Sequence, residues 1–203
     1  MIAADLFEWL HGAEFYQQFH REAVDLLPGG AGQTWLDVGC GPGVLSREAA
    51  LRGYHIRAVD RQPAMIEAAN RQTRDFRAPI DFAVSDLDAE GARGIVYDVV
   101  SASSLLTVLP DSRAGLAKLA ALAKPDGAIL IIEASYRMTP INALGALAKR
   151  HLGTRSSMLL VWATARLGRV PPSLGPLDPS LTISVTPLLD GLVEASILRK
   201  SRI

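Results

Sequence analysis

The sequence predicts a doubly wound α/β fold on a mostly parallel sheet. Strand-like apolar runs alternate with helical patterns from residue 34 to 135, a glycine-rich turn follows the first run, and the chain closes on two strand-like runs joined by a tight turn. In chain order, Phe15, Phe19, Ala23, Leu26 and Leu27 recur at helical spacing, and Pro28-Gly29-Gly30 ends that helix. "TWLDV" (34–38) reads as a short buried strand, and "GVLSREAALRG" as a helix closed by Gly53. "YHIRAVD" is a second strand, after which Pro63 opens the helix "PAMIEAANRQTRDF" in its favoured first-turn position. "IDFAVSD" and "YDVVSAS" are the third and fourth strands. Asp111 caps the helix "SRAGLAKLAALAK", which Pro125 stops. "GAILIIEAS" is a fifth strand, continuously apolar as strands buried on both faces are.

The alternation then breaks. Residues 136–180 read as one or two helices and a Pro/Gly-rich loop, "VPPSLGPLDPS", and "LTISVTPLLDGLVEASILRK" as an antiparallel strand pair. The 203 residues suit a single domain, with 1–30 as an N-terminal helical cap and 136–180 as a helical lid inserted between strands five and six.

Composition bounds the function. The chain is 49% hydrophobic and 21% charged, as soluble globular proteins are, and its formal net charge is zero, so no global field draws in nucleic acid. The zero hides an asymmetry: residues 1–133 carry 12 Lys/Arg and 18 Asp/Glu, and residues 134–203 carry 9 and 3, which sum to the 21 of each sign in the chain. Cys40 is the one cysteine, so no internal disulfide forms, which fits a reducing compartment. The opening residues lack a basic region followed by an apolar run, and no stretch approaches the ~18 apolar residues of a membrane span. The expectation is a soluble cytoplasmic protein.

The stretch "DVGCGPG" carries the chemistry. Gly39, Gly41 and Gly43 remove side chains at every second position of the turn after the first strand, where ligands bind in open α/β sheets. Asp60 ends the second strand, where a carboxylate can accept hydrogen bonds from both hydroxyls of a ribose. Asp86 ends the third, placed to accept from an exocyclic adenine amine, with Leu87 beside the ring edge. Each has a plainer reading, a tight turn for the glycines, a solvated strand end for Asp60 and a turn-forming residue for Asp86. A nicotinamide dinucleotide is the rival ligand, but its G-x-G-x-x-G fingerprint needs a glycine where Val44 stands, and a pyrophosphate sits poorly beside Asp37.

"LDVGCGPG", "AVD", "VSDLD", "YDVVSASSLLTVLPD" and "LAKPDGAILIIEAS" resemble, in order and spacing, the successive motifs of class I S-adenosylmethionine-dependent methyltransferases. The resemblance covers residues 34–135 and is extended by the final strand pair. It implies a seven-stranded sheet of order 3-2-1-4-5-7-6 with the last strand antiparallel, and methyl transfer from S-adenosyl-L-methionine to a small molecule. It also implies that Gly39, Cys40, Gly41 and Gly43 form the loop against the methionine end of the cofactor. Asp37 then orients that loop and the cofactor's amino group, and Asp60 holds the ribose. Asp86 and Leu87 contact the adenine, Arg61 and Met65 flank it, and Ala102 and Ser103 lie below the sulfonium. A partner subunit that keeps the pocket without turnover is the competing reading.

Methyl transfer from a sulfonium needs chiefly in-line positioning, and the sequence shows no clear base. His20, which lies with Tyr16 on the N-terminal helix, is a candidate base, a surface histidine being the plainer reading. His11, His20, His55 and His151 lack metal-ligand spacing, so no metal is expected. Residues 134–177 hold Arg137, Lys149, Arg150, Arg155, Arg166 and Arg169 among apolar residues, with no acid. That composition suggests a lid over an apolar or anionic substrate, the plainer alternative being a helix pair with a solvated basic face.

Overall fold

The computed structural model describes residues 9–149, 153, 155–172, 174 and 181–200. Seven strands form one sheet: β1 (Thr34–Val38), β2 (His55–Asp60), β3 (Ile80–Val84), β4 (Tyr97–Ser103), β5 (Ala123–Ala134), β6 (Leu181–Leu188) and β7 (Val193–Lys200). Their order is β3-β2-β1-β4-β5-β7-β6, the order the resemblance implies. The neighbouring pairs among β1 to β5 are parallel, and β7 runs antiparallel to both β5 and β6. The helices are α1 (Glu14–Asp25), α2 (Val44–Leu51), α3 (Pro63–Gln72), α4 (Leu87–Ala92), α5 (Ser112–Leu122), α6 (Pro140–Lys149) and α7 (Met158–Ala165).

Period-two alternation splits the core into a cluster on each face of the sheet. On one face, Trp35 of β1 and Leu130 and Ile132 of β5 meet Phe15 and Phe19 of α1, Leu45 of α2 and Leu159 of α7. On the other, Leu36, Val100, Ile129 and Ile131 meet Leu116 and Leu119 of α5. Trp35 and Leu36 are adjacent, point to opposite faces and are both fully buried. Burying each such side chain stabilises the fold by about 1.5–3 kcal/mol. A sheet covered on both faces explains the continuous apolar run of β5.

Two elements depart from the sequence reading. α3 stops at Gln72 rather than continuing to Phe76, because the Thr73 hydroxyl bonds back to the Ala69 carbonyl at 2.8 Å and closes the last turn. α4 has no counterpart in the reading. It is six residues long with Gly91 inside it and no apolar period to reveal it. Asp86 caps it, its Oδ1 accepting from the N–H groups of Asp88 and Ala89 at 3.0 and 2.8 Å. Glu90, the buried residue of α4, accepts from Arg57 of β2 at 2.8 and 2.9 Å and from the Ser85 hydroxyl at 2.8 Å. The Arg57 guanidinium holds its carboxyl below the usual range.

The turn from β1 to α2 is set by its glycines. Gly43 has φ +76°, and a Cβ there would stand 2.8 Å from the Phe82 ring of β3. The close neighbour of Gly43 is therefore the protein's own core. Gly43→Ala is expected to cost about 2 kcal/mol or more, part from the left-handed backbone and part from the overlap. The measure is the urea midpoint. Adding Phe82→Leu should recover only the overlap part, and an unshifted midpoint for Gly43→Ala would refute the assignment.

Candidate functional site

The carboxyl ends of β1, β2 and β4 converge on the glycine loop. Asp37 is 1% exposed. One of its oxygens accepts from the Ser46 hydroxyl of α2 at 2.6 Å, the other from Ser101 of β4 at 2.9 Å. Ser101 in turn accepts from the Trp35 indole N–H at 2.7 Å. Burial raises the Asp37 pKa to about 6 against these bonds. Both oxygens are thus engaged within the protein.

Asp60 is 8% exposed and reaches across to that loop. Its Oδ2 accepts from the Gly41 N–H at 3.0 Å and its Oδ1 from the Gln62 N–H at 2.9 Å. A carboxylate oxygen accepts two hydrogen bonds, so each retains one acceptor position. The N–H groups of Gly39 and Cys40 both donate to the Val59 carbonyl, at 2.8 and 3.0 Å. The loop is thus fastened to the end of β2 from both sides. A Cβ on Gly41 would project into the gap below His11, 3.7 Å from its ring, and glycine keeps that gap open. The acid with spare acceptor positions and the side-chain-free backbone beside it fit a ribose and the chain attached to it.

The remaining expected residues sit around this centre. Met65 is buried at the start of α3, and Arg61 is exposed just before it. Asp86 keeps its Oδ2 beyond the cap it makes, with Leu87 half-buried next to it. Ala102 is fully buried, on the α5 side of the sheet, whereas Ser103 points to the α1 side. Burial pushes the Cys40 thiol well above its usual pKa, so it is a packing residue and not a nucleophile.

Ser103 anchors a network the sequence only hinted at. His20 of α1 is 2% exposed. Its Nδ1 lies 2.7 Å from the Tyr16 carbonyl, which can only accept, so Nδ1 carries the proton. Nε2 then accepts from the Ser103 hydroxyl at 2.9 Å. Burial also raises the Tyr16 hydroxyl above its usual pKa. Burial lowers the His20 pKa to about 3, so the imidazole is neutral at physiological pH.

Beside the network, Glu133 of β5 accepts from the Thr107 hydroxyl at 2.6 Å and the Thr107 N–H at 3.3 Å. Arg166, after α7, stands 3.9 Å from Glu133. Within the basic stretch, Arg155 lies over the Trp9 ring, 5.2 Å from its centroid, while Arg150 and His151 lie outside the described residues. Arg166 is the basic residue that turns inward, and only its place after α7 distinguishes it from its neighbours. Among the described residues, no group of three His, Cys, Asp or Glu side chains is placed to hold a metal, and no helix is long and apolar enough to cross a membrane.

A sheet of this order, with a glycine turn after β1 and acids closing β2 and β3, defines a class I S-adenosylmethionine-dependent methyltransferase. The chain belongs to the methyltransferase-domain family, whose model matches residues 9–166. Over 104 residues, 50% of the chain, it is 34% identical to a ubiquinone biosynthesis O-methyltransferase of Xanthomonas axonopodis pv. citri. Over 102 residues, 48% of the chain, it is 35% identical to that of Chromobacterium violaceum. The matches span 43% and 42% of those relatives, so the chain aligns with less than half of their length. Among solved structures, the plantazolicin methyltransferase BpumL, in complex with a triazolic substrate analogue and S-adenosylhomocysteine, shares the fold at TM-score 0.67 and 11% identity, covering 99% of this chain and 90% of that one. Magnesium protoporphyrin IX methyltransferase from Synechocystis PCC 6803 does so at TM-score 0.59 and 20% identity, covering 92% and 80%.

The buried acid and base give opposite pH dependences. The folded-state pKa of His20 lies below its unfolded value of ~6.5, so on acidification from ~6.5 the unfolded chain takes up a proton that the fold refuses, and stability falls. The folded-state pKa of Asp37, about 6, lies above its unfolded value of ~3.9, so between these the fold binds the extra proton and stability rises on acidification. Each limiting slope is about 1.4 kcal/mol per pH unit. Asp37→Asn should therefore lose stability more steeply than wild type from pH ~6 to ~4, and His20→Gln less steeply. Denaturant titrations across this range read both, and parallel slopes would refute the assignments.

Proposed function

We propose that this chain transfers the methyl group of S-adenosyl-L-methionine to a small-molecule acceptor, apolar or anionic in character, held at the carboxyl ends of β4 and β5. The observation that carries the reading is Asp60, a nearly buried carboxylate fastened to Gly41 with one acceptor position left on each oxygen. In this reading Asp60 grips the ribose hydroxyls, and Asp86, Leu87, Arg61 and Met65 surround the adenine. Gly39, Cys40, Gly41 and Gly43, oriented by Asp37, form the wall beside the methionine chain. Ala102 and Ser103 lie at the reacting end, with residues 9–30 as cap and the α6–α7 segment as lid.

Bound there, the cofactor supplies an activated methyl on a sulfonium. The protein's own contribution is alignment and exclusion of water. Ser103 donates its proton to His20, which leaves a lone pair for a donor on the acceptor molecule. A hydroxyl or amine held by that lone pair has its nucleophilic atom fixed relative to β4. The relatives in Xanthomonas and Chromobacterium are O-methyltransferases of ubiquinone biosynthesis, which supports a hydroxyl as the acceptor group.

Saturating S-adenosylhomocysteine at about a hundred times its dissociation constant should raise stability by ~2.7 kcal/mol. NADH and NADPH should leave it unchanged. Asp60→Ala should remove most of the shift, and Asp60→Asn should keep the bond to Gly41 yet weaken binding about tenfold. Thermal melts with each ligand read the outcome. A wild-type shift with a nicotinamide dinucleotide and none with S-adenosylhomocysteine would overturn the reading. Release of S-adenosylhomocysteine from S-adenosylmethionine and a metabolite pool separates an enzyme from a silent binding subunit.

A further inference from the structure

A cavity opens where the carboxyl end of β5 meets the segment after α7, bounded by Thr107, Ser135, Thr139, Arg166 and Arg169. The Arg166 side chain is only 11% exposed. Among the described residues, its guanidinium makes no hydrogen bond of 3.5 Å or less, and Glu133, at 3.9 Å, is its one ion-pair partner. At that distance Glu133 faces Arg166 as a charge without a hydrogen bond, its oxygens accepting from Thr107. Burying a cation without close partners is costly, and burial pulls the Arg166 pKa down accordingly. Among the described residues, its fork of five N–H donors is left to meet an anion from the cavity side.

The other groups at the wall have the same polarity. Arg169 brings a second positive charge. The Thr139 hydroxyl accepts from the Asn142 N–H at 3.3 Å and so keeps its own proton to donate. Among the described residues, Glu133 is the one carboxylate within 4.0 Å of Arg166, and the sequence from 134 to 177 holds no acid. Met138, Leu167 and Pro171 supply the apolar part of the lining. Arg166 is tied to the His20–Ser103 network by packing: the Tyr16 ring lies against Trp162 with centroids 5.6 Å apart, and the Arg166 backbone N–H bonds to the Trp162 carbonyl at 3.1 Å.

We propose that this cavity is an oxyacid subsite, in which Arg166, assisted by Arg169 and Thr139, holds a carboxylate or phosphate of the methyl acceptor. The anion pairs with the guanidinium while the apolar body of the acceptor lies against Met138 and Leu167, and its nucleophile points toward Ser103. The proposal rests on the methyltransferase reading and narrows its substrate to acids.

The test is equilibrium binding to the full chain saturated with S-adenosylhomocysteine, using benzoate, phenyl phosphate and the neutral benzamide as probes. Benzoate or phenyl phosphate should bind about tenfold or more tightly than benzamide, as a charge-assisted paired contact requires. The tighter of the two identifies the oxyacid, and either supports the subsite. Arg166→Gln should abolish the preference and leave the affinity for S-adenosylhomocysteine within about twofold, while Arg166→Lys should keep part of it. Equal binding of benzoate, phenyl phosphate and benzamide to wild type overturns the proposal without needing any variant to fold. So does a preference that survives in folded Arg166→Gln, or competition between benzoate and S-adenosylhomocysteine. Failure of wild type to bind S-adenosylhomocysteine at all would count against the methyltransferase reading, a separate result.

Discussion

The Asp37 carboxylate, closed off from solvent at the end of β1, binds three elements at once: it accepts from Ser46 of α2 and from Ser101 of β4, and Ser101 accepts from the Trp35 indole of its own strand. These groups come from residues 35 to 101, far apart in sequence and adjacent only because β1 lies between β2 and β4. A buried charge of this kind is costly unless its acceptor positions are filled, so the three elements are held to one geometry or the carboxyl must protonate. What hangs from it is the glycine loop. With α2 anchored by Ser46, the chain has seven residues, 39 to 45, in which to leave β1 and begin the helix. It does so through left-handed backbone at three alternate positions.

The loop is held from the other side by the end of β2. The Val59 carbonyl takes two of its N–H groups, and Asp60 takes that of Gly41. The same carboxylate that braces the loop is the one proposed to meet the ribose, so bracing and binding are coupled. The protein has little slack there: moving Asp60 releases Gly41, and shifting Gly41 alters the gap that glycine keeps below His11. Among the described residues, this nearly buried carboxylate is bonded to backbone N–H groups alone, so a ligand at the proposed site would meet a group already fixed in place.

The sheet, and the turn and strand-end residues proposed to hold the nucleoside, stand out because their signals are local. Strand-end acids, a glycine turn and a proline-started helix each declare themselves within a few residues, and their spacing carried the strand order through the resemblance. α4 was invisible because a six-residue helix with an internal glycine has no period, and it is held by the tertiary bond from Arg57 to Glu90. Arg166 could be named among six basic residues but not singled out, because its burial depends on β5 and α1 lying beneath it. The tautomer of His20 depends on the carbonyl four residues before it and on Ser103, 83 residues away. Asp86 takes its plain reading in the structure: one oxygen caps α4, and the other lies outside the cap.

The division follows the chemistry. A nucleoside is an invariant ligand, and groups that hold it can sit at fixed offsets from the strands that position them. An acceptor is gripped by whatever segments reach the far end of the sheet. Here those are α1 before the sheet begins and the helices inserted between β5 and β6, which meet as Phe19 stacks on Trp162 with centroids 5.8 Å apart. That ring pair fixes α7 against α1, and hence Arg166, which directly follows α7, relative to Tyr16 and Ser103. The reacting end is built by tertiary packing on a loop geometry that Asp37 and Asp60 have already set.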